Sequence, residues 1–305
     1  MPNVINYAEM FSTFLDQMYQ AESRSYGLLQ SNPQVQWINA KTIKVPTVAT
    51  SGYKDHNRNT LAFNTGSVQN TWKPMTLDFD RDIELPIDAM DVDETNLVTS
   101  LANIQATFER EHAIPESDAY RFSKLFAEYV TLDGEVDTTT LTTANILEWF
   151  DQQMADMDDA GVPEEGRVLY LTPALHKIIK EAQGITRMLT LGPGANAINR
   201  KVYDLDDVEL VRVPSARFKT QYDFSEDFVP ETGAGQIRAI LLHPTAVVAR
   251  EKYDYIKLFA PGSDSRVGSA YLYQNRKYQD LFVLSQKVPG IKINATVSGL
   301  SSASS

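Results

Sequence analysis

A chain of 305 residues, 43% of them hydrophobic, can bury a substantial core in one large domain or two smaller ones. It has no cysteine, which excludes disulfides, thiolate nucleophiles and Cys-ligated zinc and suits a reducing compartment or an assembly without covalent staples. Its 28 basic and 40 acidic residues leave a net charge of −12, which opposes binding of nucleic acid through its phosphates.

No basic-then-apolar leader is present, and no apolar run approaches the roughly 20 residues of a membrane span, so the chain is expected to be made and kept in the cytosol. Near the start, Tyr7, Met10, Phe11, Phe14, Leu15 and Met18 fall on one helical stripe. Such a helix needs a partner surface, on its own domain or on another subunit.

From Thr42 to Ala49, and again from Thr71 to Asp80, apolar and polar residues alternate with the period of a strand that has one covered face. Between them the tip from Ser51 to Gly66 holds Gly52, Asn57, Asn59 and Asn64, which favour turns. The pattern predicts a long β-ribbon. A two-stranded ribbon is marginal in water, so it must lie on its own body or on a neighbour.

Asp91 with Glu94 three residues on, followed by Leu97, Leu101, Ile104 and Phe108, predicts a capped amphipathic helix directly after the ribbon. The run Ala113-Ile114-Pro115-Glu116 interrupts this pattern, and Phe122, Leu125, Phe126 and Tyr129 restart it, so two helical segments are expected. Residues 131–143 read as a polar loop leading to a second region. There Ile146, Leu147, Phe150, Met154 and Met157 mark a helix stopped by Gly161 and Pro163. A short buried strand at Arg167–Leu171 follows, and Thr172-Pro173 caps a helix carrying Leu175, Ile178 and Ile179. Strands at Val208–Val213 and Ile237–Leu242 flank a long polar loop from Ser215 to Gly235, which makes the class α+β. The segments Tyr271–Leu284 and Gly290–Ile293 read as extended strands returning near the base of the ribbon, and Ser298 to Ser305 as a disordered tail.

Motifs that carry chemistry are weak. Gly192-Pro193-Gly194-Ala195-Asn196-Ala197 satisfies the loose form of a dinucleotide loop, but no helical stripe follows it and Pro193 stiffens the turn. Asp156 to Gly161 starts like a calcium loop, yet its fifth position is Ala160 and its twelfth is Arg167. The four histidines, His56, His112, His176 and His243, lack ligand spacing, although His56 on the polar tip could respond to pH at an interface. Clustered acids at Asp78, Asp80 and Asp82 and at Asp204, Asp206 and Asp207 have no opposing carboxylate and read as solvated faces. Trp37, Trp72 and Trp149 sit in apolar patterns as core or interface residues.

The run Asp88-Ala89-Met90-Asp91-Val92-Asp93-Glu94-Thr95-Asn96, with Asp118-Ala119-Tyr120-Arg121-Phe122-Ser123-Lys124-Leu125 beyond it, resembles the major capsid proteins of tailed phages that infect Gram-positive bacteria. The resemblance extends from Ile5-Asn6-Tyr7-Ala8 to the final strand near Ile293. It implies the HK97-like capsid fold, with an N-terminal arm (1–36) and an extended β-hairpin, the E-loop (37–87). A peripheral domain with a long spine helix (88–131 and 266–297), an axial domain (132–265) and a disordered tail (298–305) complete it. It further implies hexamers and pentamers of an icosahedral shell around double-stranded DNA, within the virion, after synthesis in the host cytoplasm. Scaffolding and portal proteins would be partners, with decoration proteins in some relatives. No catalytic residue, cofactor, metal or membrane is implied. The interface would draw on Tyr7, Phe11 and Phe14 of the arm, on Tyr53, Lys54, His56, Arg58, Phe63 and Trp72 of the ribbon, and on Gly192 and Gly194 near the capsomer centre.

Some relatives join a ribbon-tip Lys to an Asn of a neighbour with help from a buried Glu; Lys54 and Asn275 fall in comparable places, and no Glu is matched. An encapsulin-like compartment of the same fold is the alternative, and an α/β enzyme holding a phosphate at the Gly192 loop a more distant one.

Overall fold

The structure, a computed structural model, describes residues 23–29, 36–37, 42–53, 55, 64–88, 105–182, 204–262, 268 and 270–296. The stripe from Tyr7 to Met18, the helix start at Asp91 and the tip residues Lys54, His56, Arg58 and Phe63 lie outside the described residues. So do the loop with Gly192 and Gly194 and the serine-rich end.

Two sheets and a helix between them form the body. The first sheet has six strands in the order β5 (Val136–Asp137), β14 (Ile291–Ala295), β11 (Ile237–Leu242), β6 (Val168–Leu171), β8 (Val208–Arg212) and β7 (Asp204–Leu205). β11 runs antiparallel to β6 and to β14, whereas the β6–β8 and β14–β5 pairs are parallel. Its central strands are continuous apolar runs because both faces are covered. Leu169, Leu171, Ala239 and Leu241 pack on α3 (Ile146–Asp159) and α4 (Pro173–Glu181), through Ile146, Phe150, Met157, Leu175 and Ile179. Tyr170, Ile240 and Leu242 face α2 (Ile114–Thr131) on the other side. A bulge between Ile237 and Ala239 shifts the alternation, so that Ile237 joins the α2 side as well.

The second sheet is three-stranded, with β13 (Ala270–Val283) between β12 (Val247–Phe259) and β4 (Phe79–Asp88), all antiparallel. α2 lies against β13 and also touches the first sheet, so its apolar face joins the two. Phe122 is fully buried there, with ring centroids 5.2 Å from Tyr170 and 4.9 Å from Phe218, both edge-to-face.

Several expectations are corrected. Instead of two helical segments there is one continuous helix over 105–131, with a π turn at Glu109–Ala113. Pro115 has no N–H for an i−4 carbonyl, and the preceding Ile114 N–H reaches back five residues to the Glu109 carbonyl, so the proline is absorbed without a break. Ile291–Ala295 does not return to the ribbon base; it pairs with β11 and β5, where Ile291, Ile293 and Ala295 are buried. Of the final segments only β13 comes back beside the strand that follows the ribbon. The segment 215–235 is more than a polar loop: it holds a short hairpin, β9 (Tyr222–Asp223) with β10 (Val229–Pro230), and buries Phe218 and Tyr222. Its apolar anchors are too irregularly spaced to show a period.

Other readings agree with the coordinates. Thr172 caps α4 by accepting from the Leu175 N–H at 3.3 Å. The acid run at Asp156 is a helix end tied down by Arg167, whose buried guanidinium donates to Asp158 and to the Val162 and Pro163 carbonyls.

Phe122→Ala should cost about 3–5 kcal/mol, the usual range for deleting a buried aromatic, read as a lowered urea midpoint in the unassembled chain.

Candidate assembly interface

The ribbon is built from β2 (Thr42–Thr50) and β3 (Val68–Thr76), paired from Thr42↔Thr76 to Thr50↔Val68, with β1 (Gln36–Trp37) added on the outer side of β2. Its base is buried. Ile43, Met75 and Leu77 form a small cluster with Val248, Tyr278 and Phe282 of the second sheet. Further out the cover ends: Trp72 is 47% exposed, Val68 74%, and Tyr53 fully exposed.

The return arm was expected to run as one strand to Asp80, but it stops at Thr76 and the chain changes sheets at Leu77-Asp78. The backbone groups at that switch bond to side chains of β13. Tyr278 donates its hydroxyl to the Leu77 carbonyl, and the Asp280 carboxylate accepts the Asp78 N–H at 3.0 Å. Asp280 also accepts from the Tyr120 hydroxyl at 2.8 Å and from the Leu281 N–H at 2.7 Å, which ties the switch to α2. Burial raises the Asp280 carboxyl above its ordinary 3.8, against the lowering effect of these hydrogen bonds and of Lys124. Burial also pushes the Tyr120 hydroxyl up, reinforced by the Asp280 charge.

A second anchor holds the start of the described chain. Asp118, with no exposed surface, accepts from Ser23 Oγ, the Arg24 and Ser25 N–H groups and Ser25 Oγ at 2.7–3.1 Å, and from Arg217 at 3.3 Å. Arg121, equally buried, donates to Ser25 Oγ, Gln279 and Glu251. Residues 23–29, including the short helix α1 (Tyr26–Leu29), are thereby fixed against α2 and β12, with Leu28 in the core.

Between the helix and β4 lies a cavity of about 610 Å³. Phe79, Ile83, Leu85 and Phe108 supply its apolar walls. Behind them Glu109, almost fully buried, accepts from the Asn275 amide and from Lys277 Nζ at 2.9 Å. Two further pairs line it, Arg81–Glu116 at 2.6 Å and His112–Asp227 at 3.0 Å. Burial raises the Glu116 carboxyl, opposed by Arg81.

Of the residues expected at the interface, Tyr53 and Trp72 are described, and both are exposed on the ribbon; the others fall outside the described residues. Asn275 is buried beside Glu109, a carboxylate that sequence spacing could not have matched across 166 positions. The anchors at Asp118, Arg121 and Asp280 were missed as well. Asp118, Arg121 and Asp280 stood in amphipathic or alternating runs as ordinary polar residues, and only tertiary packing shows them buried.

No protein-family model matches the sequence, and no curated protein matches it by sequence. In structure, the chain is similar to the mature capsid asymmetric unit of bacteriophage PhiM1, with a TM-score of 0.62 at 14% identity over 83% of this chain and 81% of that one. It is similar to Mycobacterium phage Bobi, TM-score 0.58 at 11% identity over 88% and 90% of the two chains. It is also similar to the capsid of the cyanophage P-SCSP1u, TM-score 0.57 at 13% identity over 83% of each. The chain therefore has the HK97-like capsid fold. The likeness reaches a cyanophage as well as a Mycobacterium phage, so it does not select the Gram-positive host expected from the sequence.

Two outcomes follow from the anchors. Asp118→Ala should lower stability by about 3 kcal/mol in denaturant unfolding, since it strands Arg121 and several donors in the interior. For Asp280, a folded-state acidity weaker than its ordinary 3.8 means that the folded chain holds the proton more tightly than the unfolded one. Its contribution is therefore largest below that value and declines as the pH rises through the folded-state titration. Asp280→Asn should flatten the fall in stability between acid and neutral pH, seen as urea midpoints at pH 3.5 and pH 8 that differ less than in the parent chain.

Proposed function

We propose that this chain is the major capsid protein of a tailed phage, assembling as hexamers and pentamers into an icosahedral shell around double-stranded DNA. The observation that carries this reading is the ribbon: its base is packed into the body while Trp72, Val68 and Tyr53 stand uncovered on a fold shared with phage capsids. Apolar surface projecting on a limb is stabilised when another molecule covers it, at about 25 cal/mol per Å². Repeated over a closed symmetric shell, modest contacts of this kind add up without a cofactor. In this reading the protein works through surfaces, and it catalyses no reaction.

The division into regions belongs to the same proposal. The peripheral domain would comprise the 105–131 helix with β4, β12 and β13, and the axial domain the six-stranded sheet with α3 and α4. This moves β12 and β14 across the boundary drawn from the sequence alone, and β4 out of the span given there to the E-loop, because each follows its hydrogen-bonded partners. The acidic balance of the chain suits an inner wall that does not adhere to packaged DNA. Scaffolding, portal and decoration proteins would be its partners during assembly.

Negative-stain microscopy of the purified protein at high concentration should show shells or tubes; discrete small oligomers alone would contradict the proposal. Trp72→Ala should change the stability of the isolated subunit by about 0.5 kcal/mol or less, as befits a half-exposed side chain, yet strongly reduce the fraction in assembled particles by sedimentation.

A further inference from the structure

The cavity of about 610 Å³ between the 105–131 helix and β4 takes no part in the reading of the chain as a shell protein. Its size falls within the roughly 300–1,000 Å³ range of small-molecule sites, and four elements close on it: the helix, β4, β13 and, through Asp227, the 215–235 segment. Its walls are held in place from behind. The Phe79 ring stacks on Tyr120 with centroids 3.7 Å apart and meets Phe224 edge-on at 5.3 Å. Phe108, on the helix side, packs on His112 at 5.9 Å and against Tyr273 at 6.2 Å. The π turn that follows Phe108 puts His112 and Ala113 on the same lining.

Charge decides what such a space can take. Three acid–base pairs border it: Arg81–Glu116 at 2.6 Å, His112–Asp227 at 3.0 Å and Lys277–Glu109 at 2.9 Å. Glu109 accepts from the Asn275 amide with its other oxygen, and Gln279 donates to Ser117 at 3.0 Å. Asp82 belongs to the exposed alternate positions of β4, with Asp80 and Glu84. The bases and acids that face the space therefore hold one another, and an ionic ligand would have to displace a partner already in place. An added anion would also meet Glu116, whose carboxyl burial already raises above its ordinary 4.5. Phe79, Ile83, Leu85, Phe108 and Ala113 leave the rest of the lining apolar.

We propose that this cavity is a binding site for an uncharged, flat, apolar small molecule of the aromatic class, seated against Phe79 and Phe108. Its affinity comes from removing apolar surface from water and from ring contacts, so it grows with the ligand's apolar area and is indifferent to salt. A bound molecule touches the π turn, β4 and the 215–235 segment at once and so braces the seam where they meet. The site is distinct from Tyr53, Val68 and Trp72 on the ribbon, and the inference does not depend on the shell reading.

The test uses the full chain as dilute subunits and two fluorescent probes. N-phenyl-1-naphthylamine is neutral, and 8-anilinonaphthalene-1-sulfonate is the same ring system with one negative charge. The neutral probe should bind saturably, one per chain, and at least about tenfold more tightly than the sulfonate, a difference of about 1.4 kcal/mol. Ala113→Phe fills the space from the helix and Ile83→Trp fills it from β4; each should weaken the neutral probe at least about tenfold, whereas Trp72→Ala should leave it unchanged. Urea midpoints establish that the variants fold, and nuclear Overhauser contacts from the probe to the Ile83 and Leu85 methyl groups of the parent chain locate the site independently of them. Absence of saturable binding, equal binding of both probes, undiminished binding in folded cavity-filling variants, or loss of binding in Trp72→Ala overturns the proposal. Binding by subunits that vanishes in assembled particles overturns it too, by giving the recess to a second copy. The shell reading stands in each of these cases.

Discussion

The structure depends on a single constraint: a two-stranded ribbon cannot bury enough surface to hold itself, so its geometry must be set from the base. Here the base is set twice. Ile43, Met75 and Leu77 bury apolar surface against the second sheet, and the polar backbone at the switch is satisfied by Tyr278 and Asp280 rather than by strand pairing. Two consecutive residues with fixed backbone partners define the angle at which the limb leaves. An exposed limb of uncertain angle could not meet a neighbour in a repeatable way.

The same side chains connect this switch to the rest of the body. Asp280 also receives Tyr120 from α2, and α2 carries Asp118 and Arg121, which fix residues 23–25 on its other side. One helix therefore fixes both the base of the ribbon and residues 23–25, while its apolar face fills the space between two sheets. Removing a partner from such a buried polar group leaves charges or donors stranded, which costs more than the group contributes when intact. The polar anchors thus give position more than net stability, in contrast to the aromatic contacts of Phe122.

Much of this architecture was legible in the sequence, for physical reasons that differ by element. The ribbon showed because alternation survives wherever one face is covered, and α3, β6 and α4 showed because their caps and periods are local. The continuity of the 105–131 helix was not legible. Proline normally marks a helix start, and the π turn that accommodates it here leaves no signature in residue type. The pairing of β14 was hidden because a short apolar strand carries no mark of which sheet it joins. Asn275 could be singled out by resemblance, whereas its neighbour Glu109 comes from a helix far away in sequence and emerges only when the sheet and helix pack.

In the proposed shell, a limb that projects from one copy and is covered by the next makes a heterologous contact: each copy gives with one surface and takes with another. Such contacts do not saturate at a dimer. They continue until rotation closes a ring, or without end if it does not close. Closure is then a matter of angle, which returns the problem to Leu77 and Asp78, where the limb's direction is set by two hydrogen bonds to one strand. Small changes of direction at that point would alter how many copies complete a turn, and a shell needs rings of more than one size.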